Sequence, residues 1–431
     1  CALPIWRREV GDDAHLNSMH IADIDRSGQS EIVVTNNSGS ISCYTLENHK
    51  LTWRLENQLP YDYTPVELYD INRDGYLDFI IANYHHFFII DGKTREEIFN
   101  MPNFWGWGYE LADVNGDGYD DLVLLRCYTS SACYDLRNNQ KVLWSNGFSR
   151  AGIGGKLRLG QQLIVSDKGR LLLLDLATGR LSTFVTFGGN VIPSSLKIAD
   201  NKKGQRLLIV YSDDKGVMGI RMDNAQIVWQ FEQHPFYDAL LTVHDIDGNG
   251  TIEALIHLDA LYCLDAMTGK LQWKCETSNK ITGLSIHLAD LDRDGVLEIF
   301  SYSNDGYLYR INLSGQILGK YKSDMISSLI PMDVDGDGYK EILLLTANGY
   351  IDCVSFTQRR DIKKFSIGKT TWSLNKHIKD IDGDGGKEFL FVDYDQKVSC
   401  WNLKKWHLSW AVQMPQQNCS PYPVQAIGHR K

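Results

Sequence analysis

The sequence predicts an all-β protein assembled from repeated units of four antiparallel strands, the organisation of a β-propeller. Three observations support this: an acidic nine-residue motif that returns seven times, a spacing of 43 to 47 residues between most neighbouring copies, and short β-rich runs bounded by turn residues. The 43% apolar content over 431 residues is that of a folded globular protein. No uncharged apolar run reaches the roughly 18 residues that a membrane-spanning helix needs.

The acidic motif sets the number of units. It begins at Asp23, Asp70, Asp113, Asp245, Asp290, Asp333 and Asp380. The gap of 132 residues between Asp113 and Asp245 equals three units, so two degenerate units, visible near Gly154 and Ser194, must lie in it. Nine units then form one domain over 1–431, with eight to ten blades still open. The units begin near residues 17, 63, 107, 151, 194, 238, 282, 326 and 372.

Each unit shows the same order of strands. A short run precedes the acidic loop, a second strand follows it, as from Glu341, and a turn such as Asn348–Gly349 leads to the third. The fourth strand carries a tryptophan, as at Trp273. Segment 4–10 resembles such a fourth strand and segment 420–430 a first strand. These spare strands either help to close the ring or indicate a piece of a longer protein.

The acidic loops have the chemistry of calcium sites. Oxygen-bearing side chains stand at loop positions one, three, five and nine, and glycine stands at position six, where the chain must turn. Ca²⁺ accepts six to eight oxygens in flexible geometry, whereas Mg²⁺ requires a stricter octahedron. We therefore predict up to seven Ca²⁺ sites. The predicted ligands are Asp23, Asp25, Ser27 and Glu31; Asp70, Asn72, Asp74 and Asp78; Asp113, Asn115, Asp117 and Asp121; Asp245, Asp247, Asn249 and Glu253; Asp290, Asp292, Asp294 and Glu298; Asp333, Asp335, Asp337 and Glu341; Asp380, Asp382, Asp384 and Glu388.

Two other interpretations of these loops are an EF-hand and a simple turn. An EF-hand needs a glutamate at position twelve, but Ile256 and Ser301 stand there in two of the copies, and strands flank every loop. Alternatively, the segments are only turns, since Asp and Gly favour turns; seven copies in fixed phase argue against this. The two degenerate units lack the carboxylates and are expected to bind no metal.

These residues resemble the FG-GAP or VCBS type of calcium-loop repeat, found in integrin α-subunit propellers and in many secreted bacterial proteins. The resemblance covers essentially the whole chain and implies a calcium-stabilised module for adhesion or interaction outside the cell. The third and fourth strands, as around Trp273, also resemble the repeats of quinoprotein-type and outer-membrane assembly propellers. No quinone cofactor is inferred from that weaker similarity.

The net charge is dominated by the loops. Lys and Arg number 44 and Asp and Glu 54, for a formal charge of −10, which disfavours nucleic acid as a partner. The predicted ligands include 24 carboxylates, and seven bound Ca²⁺ ions would change the net charge to +4. Crowded like charges should repel without metal, so we predict metal-dependent stability.

Five cysteines occupy equivalent places in third strands: Cys43, Cys133, Cys263, Cys353 and Cys400. We expect them to be buried packing residues. Two disulfides stay open, Cys127 with Cys133 and Cys263 with Cys275. Cys1 is either the acylated first residue of a mature lipoprotein or an arbitrary boundary of the chain. Calcium loops imply an extracellular, cell-surface or periplasmic location, with membrane attachment only through lipid on Cys1.

Aromatic residues form two groups. Trp53, Trp144, Trp229, Trp273 and Trp410 recur in fourth strands and are expected to serve in the packing of the blades. A second set falls in loops expected on the face opposite the calcium loops, where it would bind a protein or a polysaccharide, or else pack between blades. That set is Tyr61, Tyr63, Tyr84, His85, Phe104, Trp105, Trp107 and Tyr128.

No motif nominates a catalytic nucleophile. The first hypothesis is therefore a non-catalytic interaction module. The alternative is a carbohydrate-active enzyme, because rhamnogalacturonan lyases of one family resemble this chain as calcium-loop propellers. A third idea is an assembly scaffold similar to quinoprotein-type propellers. A basic side chain pointing at a calcium in a polar cleft would favour the lyase, and a shallow aromatic patch would favour the binder.

Overall fold

The structure is a computed structural model. It describes residues 6–7, 16–36, 41–46, 50–55, 66–82, 85–104, 106–126, 130–147, 156–167, 169–191, 195–201, 204–233, 240–276, 286–303, 306–324, 326–346, 348–356, 363–366, 377–380, 385–392 and 397–413. The chain divides into two compact units, 66–373 and the pair of segments 1–65 and 374–431.

The unit 66–373 contains seven sheets of four antiparallel strands, each strand paired with the next along the chain. We number sheets by the order of their first strands, so these are the second to the eighth. Their strands are Val66–Tyr69 (β6), Asp78–Ala82 (β7), His86–Ile90 (β8), Glu97–Pro102 (β9); Gly106–Ala112 (β10), Asp121–Arg126 (β11), Ala132–Asp135 (β12), Lys141–Ser145 (β13); Lys156–Leu159 (β14), Gln162–Asp167 (β15), Arg170–Asp175 (β16), Leu181–Thr186 (β17); Lys197–Asp200 (β18), Arg206–Ser212 (β19), Gly216–Arg221 (β20), Ile227–Phe231 (β21); Leu240–His244 (β22), Glu253–His257 (β23), Leu261–Asp265 (β24), Leu271–Cys275 (β25); Ile286–Ala289 (β26), Glu298–Tyr302 (β27), Tyr307–Ile311 (β28), Ile317–Lys322 (β29); Ile326–Met332 (β30), Glu341–Thr346 (β31), Tyr350–Val354 (β32), Lys363–Ser366 (β33).

The other unit contains the first and ninth sheets, and the strand Trp6–Arg7 (β1) pairs in parallel with the outermost strand of the ninth. Strand β1 lies within the spare segment 4–10, and segment 420–430 is outside the described residues. The other strands are Leu16–Ala22 (β2), Glu31–Asn36 (β3), Ile41–Thr45 (β4), Leu51–Leu55 (β5); His377–Lys379 (β34), Glu388–Val392 (β35), Lys397–Asn402 (β36), His407–Gln413 (β37).

These nine sheets confirm the predicted fold class, an all-β propeller of four-stranded antiparallel blades. The described residues form no α-helix. None of them belongs to a helix long and apolar enough to span a membrane.

Within the unit 66–373, the hydrophobic core lies between successive sheets. One cluster joins Val123 of the third sheet to Leu172 of the fourth, and another joins Leu255 of the sixth to Ile299 of the seventh. Second strands are buried on both faces, as in β11, where Asp121 to Leu125 are all buried. Fourth strands lie at an edge of their sheet and are more exposed than second strands, as in β17, of which no residue is buried. A continuous apolar run therefore marks a second strand better than alternation does.

The fourth-strand tryptophans Trp144, Trp229 and Trp273 pack on glycines of the next sheet, as the sequence predicts for blade packing. Trp144 lies over Gly179, and its indole Nε1 donates a hydrogen bond to the Leu176 carbonyl at 2.6 Å. Trp229 repeats the contact with Gly269. A Cβ on Gly179 would come within 2.4 Å of the Trp144 ring, and its φ of +69° favours glycine. The pair joins the third sheet to the fourth.

The repeated cysteines confirm the expectation of buried packing residues. Cys43, Cys133, Cys263, Cys353 and Cys400 are buried free thiols. Burial raises the pKa of the Cys133 thiol to about 12, so this thiol is not a reactive thiolate. Cys263 and Cys275 are also unbridged, and Cys133 is free, so neither of the two open disulfides is formed. Cys1 and Cys127 lie outside the described residues.

Candidate metal centres

The acidic loops, named here by their first residue, connect first to second strands and share one hydrogen-bond scaffold. In all seven, the backbone N–H of the position-six glycine donates to Oδ2 of the position-one aspartate, at 2.9 to 3.1 Å. These glycines have φ between +79° and +99°. The predicted sharp turn at position six is confirmed.

Positions three and five orient their oxygens by accepting from the backbone two residues later. In the Asp333 loop, Asp335 Oδ1 accepts from the Asp337 N–H at 3.2 Å, and Asp337 Oδ1 accepts from the Tyr339 N–H at 2.9 Å. The Asp70 and Asp113 loops do the same with an asparagine at position three. These bonds turn the side chains back over their own loop.

The carboxylate at position nine is the first residue of the second strand. One of its oxygens accepts the N–H of position two, as from Ile24 to Glu31 at 2.8 Å and from Val334 to Glu341 at 3.1 Å. It therefore ties the start of the second strand to the end of the first before any metal is considered. The sequence predicted this residue only as a ligand, because the pairing with position two depends on the folded loop.

Position four is a feature that sequence reasoning missed. It has positive φ in every loop where it is described, and arginine occupies it in three loops: Arg26 at 56°, Arg73 at 58° and Arg293 at 64°. The other described loops have glycine there. The alternation of Arg and Gly at one position was the available signal, but only the glycine carries a conformational meaning in sequence.

Four loops bring carboxylate oxygens together closely enough for a metal ion. Within each group, one ligand atom per residue lies within 4.8 Å of all the others. Among the described residues, the groups are Asp23, Asp25 and Glu31; Asp245, Asp247 and Glu253; Asp290, Asp292 and Asp294; Asp333, Asp335 and Glu341. Acidic clusters that could hold a metal are therefore present in both units.

The fit to a cation is best in the Asp23 and Asp245 loops. Oδ1 of each position-one aspartate is buried and has no hydrogen-bond donor, while Oδ2 accepts the glycine N–H. A buried carboxylate oxygen without a partner is unfavourable, and a cation bound among the clustered oxygens would satisfy it. In the Asp113, Asp290 and Asp333 loops the same Oδ1 accepts a backbone N–H at 2.7 Å.

The Asp70 loop fits a cation less well. Its position-nine residue, Asp78, is fully buried and accepts the N–H of Ile71 with one oxygen and that of Gly92 with the other, both at 2.8 Å. Both carboxylate oxygens of Asp78 therefore already accept a backbone hydrogen bond, which makes this aspartate a poorer ligand for a cation. In the Asp380 loop, residues 381–384, which include the predicted ligands Asp382 and Asp384, lie outside the described residues.

The two degenerate units close the equivalent connection without an acidic loop. In the fourth sheet a two-residue turn, Gly160–Gln161, joins β14 to β15, and Gln162 takes the register place of the position-nine carboxylate. In the fifth sheet Arg206 takes that place and pairs with Asp200 at 2.8 Å. In these two sheets, the first and second strands are therefore joined by strand hydrogen bonds and, in the fifth sheet, by the Asp200–Arg206 ion pair.

The predicted partner-binding residues are only partly described. Phe104 is 1% exposed and packs against Phe87 with ring centroids 5.6 Å apart. This corrects the prediction for Phe104: its ring fills the core between the second and third sheets and cannot bind a partner. His85 is half-buried. Tyr61, Tyr63, Tyr84, Trp105 and Tyr128, and the side chain of Trp107, lie outside the described residues.

The position-nine carboxylates give a testable pH dependence. Burial raises the pKa of Asp78 and of Asp121 to about 6, and it also raises the pKa of Glu31, Glu253 and Glu341. A raised folded-state pKa favours the folded protein below the unfolded value and loses that contribution as pH rises through the folded value. We expect metal-free protein, prepared by chelation and dialysis, to resist urea better at pH 5 than at pH 7. Equal midpoints, or a lower midpoint at pH 5, would contradict this.

Comparison with known proteins gives one family match. Residues 70–124 match the family model described as an FG-GAP-like repeat. No curated protein is significantly similar to the chain. Together with the nine sheets, eight of four strands and one to which β1 is added, the match supports an FG-GAP-type β-propeller, as the sequence predicts.

Three solved structures are similar at low identity. The computationally designed Ika8 protein is 13% identical, with 91% of this chain and 98% of that chain covered and a TM-score of 0.47. BamB from Moraxella catarrhalis is 14% identical, with coverage of 76% and 96% and a TM-score of 0.43. BBS1N in complex with ARL6DN is 12% identical, with coverage of 81% and 95% and a TM-score of 0.39.

Proposed function

We propose that the protein is a non-catalytic interaction module, stabilised by calcium and working outside the cytoplasm. The observation that carries the calcium part is the pair of buried, donorless Oδ1 atoms of Asp23 and Asp245, each within a cluster of three carboxylates. Hard oxygen ligands in a loop of this kind suit Ca²⁺. The FG-GAP-type fold supports the interaction part.

Calcium would act on the stability of each sheet through its loop. The carboxylates of a cluster repel one another when no cation lies between them. A bound Ca²⁺ would remove that repulsion and join the end of the first strand to the start of the second, since ligands come from both ends of the loop. Loops of this kind commonly work at millimolar calcium, which supports an extracellular, cell-surface or periplasmic location.

The calcium part is tested by counting bound ions. Asp245→Asn combined with Asp247→Asn removes two charges from a best-fitting cluster, and we expect one Ca²⁺ fewer by calorimetric titration and metal analysis. Asp223→Asn is the control, because Asp223 is an exposed acid in the turn between β20 and β21 of the fifth sheet, which has no acidic loop. An unchanged stoichiometry in the loop variant would remove this loop from the proposed sites.

The interaction part concerns the loops opposite the acidic ones. A protein or polysaccharide partner is proposed there, bound by the aromatic residues that remain after Phe104 is assigned to the core. We expect Trp105→Ala with Trp107→Ala to weaken binding of a ligand identified on glycan and peptide arrays, without lowering the melting temperature. Phe104→Ala is the contrasting variant and should lower the melting temperature, because Phe104 is a core residue. If the Trp variant also unfolds early, those rings belong to the core.

The lyase alternative receives no support from Arg310, a basic side chain beside an acidic loop. Arg310 lies near the Asp290 loop, but it is ion-paired with Glu298 and 18% exposed, so it is not presented to a substrate. We therefore propose no second function.

A further inference from the structure

In the seven sheets that have an acidic loop, the third strand places one residue beside that loop. This residue pairs with the strand residue two places after position nine, as Cys263 pairs with Leu255 and Cys353 with Leu343. Residues two apart in a strand point to the same face, and paired residues do so as well. The side chain at this place therefore lies on the same face as the position-nine carboxylate.

The seventh sheet departs from the others at this place. In the first, third, sixth, eighth and ninth sheets a cysteine occupies this place. In the seventh sheet Arg310 occupies it and pairs with Phe300, two residues after Glu298. Its guanidinium NH2 is bonded to Glu298 Oε1 and lies 3.7 Å from Asp292 Oδ2. The other oxygen of Glu298 accepts the Leu291 N–H at 3.0 Å. A permanent cation thus lies among the carboxylates of this loop.

The metal cluster of the loop is altered accordingly. In the other three clusters the position-nine glutamate is a member, whereas the Asp290 cluster consists of positions one, three and five. Glu298 is instead committed to Arg310. The Asp290 loop also has four carboxylates at its ligand positions. The positive charge of Arg310 reduces the repulsion among them.

We propose that Arg310 replaces the metal ion in the Asp290 loop, so that the seventh sheet is braced without calcium. This inference rests on the proposed function, because it concerns which loops use the cation. Arginine is suited to the role, since its charge is permanent and its fork can engage two carboxylates in one geometry. The loop would then stay closed at calcium concentrations that empty its neighbours.

Hydrogen–deuterium exchange of the whole protein, with Ca²⁺ and with EGTA, tests this locally. We expect segments 240–257 and 326–346 to exchange about tenfold faster or more in EGTA, while segment 286–303 changes little. Arg310→Cys introduces the residue found in five other sheets and should make segment 286–303 sensitive to EGTA. Arg310→Lys keeps a positive charge and should keep it insensitive.

The outcomes separate the two proposals. If segment 286–303 of the unmodified protein loses protection in EGTA as its neighbours do, the role of Arg310 is overturned and the calcium proposal stands. If no segment responds, both are overturned, because no loop then uses a cation that Arg310 could replace. The exchange of the unmodified protein decides this even if Arg310→Cys fails to fold.

Discussion

Removal of calcium is expected to lower the melting temperature of the protein by about 5 °C or more. At a concentration 100 times its dissociation constant, one bound ion stabilises the folded state by about 2.7 kcal/mol. The Asp23 and Asp245 loops alone would then contribute about 5 kcal/mol, and a chain of this length converts that into a shift of roughly 5 °C. Scanning calorimetry with Ca²⁺ and with EGTA measures it.

Two controls make this result specific. Mg²⁺ at the same concentration should recover only part of the shift, because it retains its water and its octahedral geometry. Asp335→Ala with Asp337→Ala should reduce the calcium-dependent part of the melting temperature. Identical melting curves with Ca²⁺ and EGTA, and no metal in the purified protein, would mean that the acidic loops are only turns.

Gly179→Ala is expected to destabilise the protein by about 3 kcal/mol. A left-handed backbone costs about 1 kcal/mol or more for alanine, and the added Cβ would lie 2.4 Å from the Trp144 ring. Overpacking of this kind costs about 1–3 kcal/mol. Urea unfolding followed by tryptophan fluorescence measures the loss.

The same sheet offers a matched control. Gly160 also has positive φ, at +61°, but a Cβ there would contact nothing within 4 Å. Gly160→Ala should therefore show the backbone effect alone, about 1 kcal/mol. In a Trp144→Ala background the excess effect of Gly179→Ala should disappear. If Gly179→Ala and Gly160→Ala are equally costly, the tryptophan contact does not join the sheets.

The repeat makes the fold predictable from the sequence. The sites are predictable only in part, because the roles of some residues depend on local geometry in the folded chain. Strand order, the glycine at position six and the buried cysteines follow from patterns that recur at fixed spacing. The roles of Asp78 and Arg310 do not, because each depends on a partner that only sheet pairing brings near, Gly92 and Glu298. Phe104 was misjudged for a related reason: its loop position suggested a surface, but its ring turns inward against Phe87.

The parallel pairing of β1 with β37 bears on aggregation. A free outer strand exposes backbone groups that can pair with another molecule. Strand β1 pairs with the last two residues of that edge of the ninth sheet, with Trp6 opposite Val412 and Arg7 opposite Gln413. The outer strand β29 instead carries Lys320 and Lys322 beside exposed Leu318. Lysines on an edge discourage such pairing, so the two outer strands are protected by different means, β37 at its end by a paired strand and β29 by charge.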